Sequence, residues 1–109
     1  MTIMEKYVAA LNKGNAEELA ELFAEECLFH DTAARYIGVK PRVAHGKQGI
    51  YESFSQAFGA YGPVKADIVK LNKYSMEYDV HPNGMDIPCI GCITCDDEGK
   101  IIEIIIRAR

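Results

Sequence analysis

No stretch of this chain concentrates lysine or arginine: 12 basic side chains are scattered among 16 acidic ones, for a net charge of −4. A nucleic-acid or anionic-membrane partner is therefore not expected. No apolar run approaches the roughly 18–20 residues needed to cross a bilayer. The opening stretch MTIMEKYVAALNKG carries charges among its apolar positions, unlike a secretion leader. These absences predict a cytoplasmic protein whose four cysteines remain thiols instead of forming a disulfide framework. Repeats and low-complexity tracts are also missing. What is there is 109 residues, 49% of them apolar. That is enough for one domain over 1–109 with a real core, and too little for two.

Met4, Tyr7, Val8 and Leu11 recur at helical spacing and predict a first helix with one buried stripe, ended by Gly14. Asn15 has the chemistry of an N-cap and Glu18 the spacing of a capping box, so a second helix is expected to run to about Ala24, with Ala16, Leu19, Leu22 and Phe23 inside. CLFHD (27–31) reads as a short strand. Thr32 to His45 reads as a linker that is long for so small a domain, and such loops are usually functional or disordered. A third helix is expected after Gly46, with Ile50, Phe54, Ala57 and Phe58 on one face, stopped by Gly59 and Gly62-Pro63.

From Val64 the period changes to two. Met76, Tyr78 and Val80 alternate with Ser75, Glu77 and Asp79, and PNG (82–84) supplies the positive φ angles of a type I′ turn. Pro88 is expected to weaken the next ladder or mark a bulge, and DDEG (96–99) turns the chain into KIIEIIIRAR. The element order predicts an α+β fold, helices packed on one face of a curved, mostly antiparallel sheet of about four late strands.

CIGCITC (89–95) spaces three cysteines at intervals of three, which suggests a metal. On a strand, however, residues three apart face opposite ways and stand about 10 Å apart, whereas zinc–sulfur bonds of about 2.3 Å require convergence. A cluster would need this segment to be a loop. The alternative, small apolar side chains in a buried strand, places Cys89, Gly91, Ile93 and Cys95 on one face. No metal and no cofactor are expected.

EKYVAALNKGNAEELAELFAEECLFHDTAA, AHGKQGIYESF and DDEGKIIEI together resemble the ketosteroid isomerase and SnoaL-like polyketide cyclase branch of the nuclear-transport-factor-2-like superfamily. The resemblance implies a cystatin-like cone of three helices wrapped by a bent sheet, a deep apolar pocket, and commonly a homodimer. It also implies roles: Asp31, at the end of the first strand, matches the isomerases' proton-moving acid, and Tyr7 matches a phenol that donates to the developing enolate. Their second acid falls on Gly91, so that donor is missing here. Losing one such donor typically costs about 10²–10³ in rate.

Parity places Asp31 on one face with Phe29 and Cys27, and His30 on the other. A carboxylate at the mouth of an apolar cavity is partly desolvated, which raises its basicity. A buried phenol such as Tyr7 needs a hydrogen-bond partner or a ligand. The competing readings are a turn-capping role for Asp31 and a core aromatic for Tyr7. Leu11, Phe29, Phe54, Phe58, Met76, Tyr78, Gly91, Ile93, Ile104 and Ile106 are the candidate pocket walls. His30 and His81 are expected to face away, while His45, Arg35 and Tyr36 are placed within reach by the long loop, for which a lid is one use.

In the last strand Ile102, Ile104, Ile106 and Ala108 form an apolar face suited to pocket or core. Ile101 and Ile105 then lie outside among Glu103 and Arg107, as in an interface rim. A two-fold homodimer through the outer sheet face is expected. Two functions remain open: proton transfer on a small apolar carbonyl compound with Asp31 as general base, or a non-catalytic module of the same fold that binds a hydrophobe or dimerises.

Overall fold

A computed structural model describes residues 1–35 and 38–109. Helix α1 (Ile3–Lys13) begins at Thr2, whose hydroxyl accepts the Glu5 N–H while the Glu5 carboxylate accepts the Thr2 N–H. It ends at Gly14, whose φ of 68° is left-handed and where a Cβ would lie 2.9 Å from Pro63 Cγ, so only glycine fits both demands. Asn15 caps α2 (Ala16–Ala20) by accepting the Glu18 N–H at 3.0 Å. The expected capping box is only half made, because the Glu18 carboxylate pairs with Lys13 instead.

The second helix is shorter than its periodicity suggests. It stops at Ala20, and strand β1 (Phe23–Asp31) takes over before Ala24. Phe23 is buried as expected, but as a strand residue paired with Ile101. The 32–45 linker contains a strand, β2 (Arg42–His45), that leads directly into α3 (Gly46–Tyr61). Then come β3 (Ala66–Leu71), β4 (Ser75–Val80), β5 (Ile87–Cys95) and β6 (Ile101–Ala108). The sheet order is β2-β1-β6-β5-β4-β3, antiparallel at every junction except β1–β6. The three helices cover one face of this sheet, the α+β arrangement expected from the element order.

Two turn features bear on the site. Asn83 and Gly84 adopt φ of 53° and 78°, as an Asn-Gly pair demands, but inside a wider connection that leaves the β4–β5 ladder at the Val80–Ile87 pair. Pro88 sits within β5, opposite Asp79, one residue before the ladder with β6 opens at Cys89–Ala108. Asn12 clamps α1 to β3, donating to the Ala66 carbonyl at 2.9 Å and accepting the Ala66 N–H at 3.0 Å.

The last strand differs from simple alternation. The register slips between Thr94, opposite Glu103, and Cys95, opposite Ile101, which inserts Ile102 as the extra residue of a bulge. Ile101 is therefore fully buried and Ile102 is 38% exposed, the reverse of the expectation for that pair, while Ile104 and Ile106 point inward as predicted. Inside lie Met4, Leu19, Phe29, Ile50, Met76 and these isoleucines. Each contributes about 1.5–3 kcal/mol on full burial.

Candidate functional site

A cavity of about 400 Å³ opens where the C-terminal half of α1, the end of β1 and the end of α3 diverge above β4 and β5. Tyr7 and Leu11 reach it from α1, Asp31 from β1, Arg42 from β2, Phe54 and Ala57 from α3, and Tyr78 and Cys89 from the sheet. Ala33, Val39 and Lys40 of the segment after β1, and Pro82, Asn83 and Met85 of the β4–β5 connection, form its rim. Its size and its apolar lining with a few polar groups suit a small ligand.

Asp31 is the last residue of β1. Its Oδ1 accepts the Ala33 N–H at 2.8 Å, so it does cap the following turn. Among the described residues Oδ2 makes no hydrogen bond. Burial pushes the Asp31 carboxyl above its ordinary value, against the Ala33 N–H and the charges of Arg42 and His30, which draw it down.

Tyr7 is 2% exposed and meets Tyr78 edge to face, the ring centroids 6.5 Å apart. Both phenols line the cavity side by side, and each perturbs the other. Desolvation, with the Asp31 charge, raises both phenols far above the usual tyrosine range. Cys89 lines the same wall and donates to the Ile87 carbonyl at 3.4 Å; burial, then the nearby Asp31 carboxylate, pushes its thiol up to about 12. At neutral pH it is a weak donor and not a nucleophile.

The pocket walls expected from the sequence are divided by the structure. Leu11, Phe54 and Tyr78 do line the cavity. Phe29, Met76, Ile93, Ile104 and Ile106 lie instead in the packed core beneath it, and Phe58 is half-buried behind Phe54, the centroids 5.6 Å apart. These positions have the right parity, but helix side chains fill the space they face. Gly91 is also off the cavity: a Cβ there would meet Met4, Tyr78 and Ile106, each at 3.5 Å. The space that a second acid would need is occupied by the Tyr78 ring and its neighbours.

Of the loop candidates, Arg35 and His45 are exposed and off the cavity wall, His45 because its β2 register opposite Leu28 turns it outward. Tyr36 lies outside the described residues. His81 does not simply face solvent; its ring bridges Asp86 at 2.7 Å and Asp67 at 2.9 Å, tying the rim connection to β3. Of the cysteine run, Cys89 faces inward and Cys92 is exposed on the opposite face, the alternation of a strand and not the convergence of a metal site.

The sequence reading missed Arg42, Lys40 and the rim apolar residues. Arg42 stands directly opposite Asp31 in the β1–β2 register, and its guanidinium lies over the Phe54 ring, 5.2 Å from the centroid. Only the short β2 register places Arg42 beside Asp31, and a four-residue strand within a loop gives little sequence signal.

The comparisons with known proteins agree with this architecture. No curated protein matches the sequence. Among solved structures, an uncharacterized cystatin-fold protein from Novosphingobium aromaticivorans superposes with a TM-score of 0.76 at 13% identity, covering 97% of each chain. A SnoaL-like protein of unknown function from Burkholderia thailandensis gives 0.71 at 8% identity, over 96% of this chain and 89% of that one. At such identities these share the fold. The model of the SnoaL-like domain matches residues 4–104, nearly the whole length, and the chain therefore belongs to the SnoaL-like family.

Proposed function

We propose that this protein is a single-domain, cofactor-independent isomerase or lyase that binds a small, largely apolar carbonyl compound and moves a proton on it with Asp31. The observation that carries this reading is the convergence of Asp31 and Tyr7 on one mostly apolar cavity of about 400 Å³. Asp31 Oδ2 takes the proton from the carbon next to the carbonyl, and the C–H electrons pass into the enolate. The Tyr7 hydroxyl donates to the oxygen where charge develops. Returning the proton from Asp31 to a different carbon of the enolate completes an isomerisation without a co-reactant. The partly desolvated carboxylate is a stronger base than one in water, and the edge-to-face contact with the Tyr78 ring keeps Tyr7 oriented.

The test is turnover of a β,γ-unsaturated ketone by the wild type and by Asp31→Asn. A loss of about 10²–10⁴-fold is expected from removing a general base, and unchanged activity removes Asp31 from the mechanism.

A second reading, a non-catalytic binder of a small hydrophobe, is favoured by one observation: position 91 carries no acid and its surroundings are filled by Met4, Tyr78 and Ile106. A wild type that binds such ketones without turning them over decides for it. Either reading accommodates a homodimer through the outer sheet face, where Val43 and Ile102 are exposed. The free thiols suit a reducing, cytoplasmic setting, and among the described residues no helix is long and apolar enough to cross a membrane.

A further inference from the structure

Arg42 is held in an unusual way for a cation. It lines the cavity, half-buried, and rests on the Phe54 ring at 5.2 Å. Among the described residues its guanidinium makes no hydrogen bond and no ion pair within 4 Å. Asp31 is its register partner and opens onto the same cavity, yet commits Oδ1 to the Ala33 N–H. A partly desolvated guanidinium with its donors unused is costly unless something pairs with it. Stacking on an aromatic face fixes where it stands while leaving its N–H edge free, which is the arrangement that captures a planar oxyanion.

Lys40, on the same rim, also makes no hydrogen bond or ion pair among the described residues. The charged groups lining the cavity are thus Lys40 and Arg42 against Asp31. The remaining wall, with Leu11, Phe54 and Tyr78, offers hydrocarbon contact.

We infer that the ligand of this cavity carries a carboxylate, bound by Arg42 with Lys40 beside it, so that the preferred substrate is a small apolar keto acid over the corresponding neutral ketone. This rests on the cavity being a small-molecule site but not on Asp31 being its base. It has a consequence for that base. The Arg42 charge draws the Asp31 carboxyl down, and a ligand carboxylate on Arg42 neutralises that pull, so binding makes Asp31 more basic.

The experiment titrates the full chain with 4-phenylbutanoate and with 4-phenylbutanamide, its uncharged counterpart, following the ring resonances of Tyr7 and Phe54 by NMR. Wild type is expected to bind the acid at least about 10-fold more tightly than the amide, the size of one charge-assisted hydrogen bond. Arg42→Gln should bring the ratio to about one while leaving amide affinity within about 2-fold, and Asp31→Asn should keep the preference. Added salt, read on the wild type alone, should weaken the acid and not the amide. Equal affinities in the wild type, a preference that survives Arg42→Gln, or salt-independent acid binding overturns the carboxylate subsite and leaves the cavity reading standing. Failure of both probes to shift either ring overturns both.

Discussion

Asp31 and Arg42 stand opposite each other across the β1–β2 ladder and open onto one cavity, yet they form no ion pair. Had they closed on each other, the carboxylate would be neutralised as a base and the guanidinium as an anion receptor. Instead Asp31 is anchored by the Ala33 N–H and Arg42 by the Phe54 ring. Two opposite charges held apart at the wall of an apolar hollow are available to a third party, and the functional reading above rests on that separation.

Gly91 tests how the interior is filled. Its Cβ position is at ordinary contact distance, 3.5 Å, from Met4, Tyr78 and Ile106, and its φ lies outside the left-handed region. Gly91→Ala should be accepted, within about 1 kcal/mol of wild type in chemical denaturation. Gly91→Asp should cost roughly 3 kcal/mol or more, because the carboxylate has no space and no partner. Restoring an acid there should therefore destabilise the fold and not rescue a second donor.

Tyr78→Phe removes a buried hydroxyl from the cavity wall beside Tyr7 and keeps the ring contact. Denaturation should show a loss of roughly 1 kcal/mol. On the proposed reaction Tyr7→Phe should lower turnover by roughly 10²-fold or more, and Tyr78→Phe by less, since the ring that orients Tyr7 remains. A larger loss from Tyr78→Phe would make Tyr78 the direct donor.

Stability should fall with rising pH in two separate windows. His81, between Asp86 and Asp67, is raised above 6.5 by those carboxylates. Its contribution is complete below 6.5 and disappears as pH climbs through the folded value. Burial raises Asp31 above 3.8, so in the window above that value the native state holds more protons than the unfolded one, and stability again declines with pH. Melting curves across pH should show His81→Gln removing the upper slope and Asp31→Asn the lower one, with Asp31→Asn the more stable protein at neutral pH.

The outer face of the sheet aligns Val43, His30, Ile105 and Cys92 in one row across four strands, with Ile102 nearby. A self-associating patch of this kind predicts a dimer in sedimentation velocity, converted to a monomer by Ile105→Glu. A wild type that sediments as a monomer contradicts the proposed assembly.

The stop of α1 at Gly14, the start of α2 at Asn15 and the stop of α3 at Gly62 were legible because single residues determine them, although α3 runs through Gly59, which was also expected to stop it. The inward face of β5 was legible because alternation runs unbroken through Cys89, Gly91 and Ile93. What escaped depended on distant pairing. Leu22 and Phe23 continue a helical rhythm, and only the ladder to Ile101 makes Phe23 a strand residue. The Ile102 bulge inverts parity without any local mark such as glycine or proline. Asp31 and Tyr7 could be placed from one strand end and one helix stripe. Arg42 and the rim required the three-dimensional meeting of β2 with the β4–β5 connection, and Ile104 and Ile106 have the parity of a cavity wall but the surroundings of a core.

The most direct test of the central claim, a carboxylate kept basic by an apolar hollow, is the titration of Asp31 followed through its side-chain carbonyl resonance by carbon-13 NMR. The account predicts a midpoint clearly above the ordinary 3.8 in the free protein, moving further up when a carboxylate ligand occupies Arg42. A midpoint at or below 3.8, unmoved by any ligand, would mean that Asp31 is simply solvated or paired, and would contradict it.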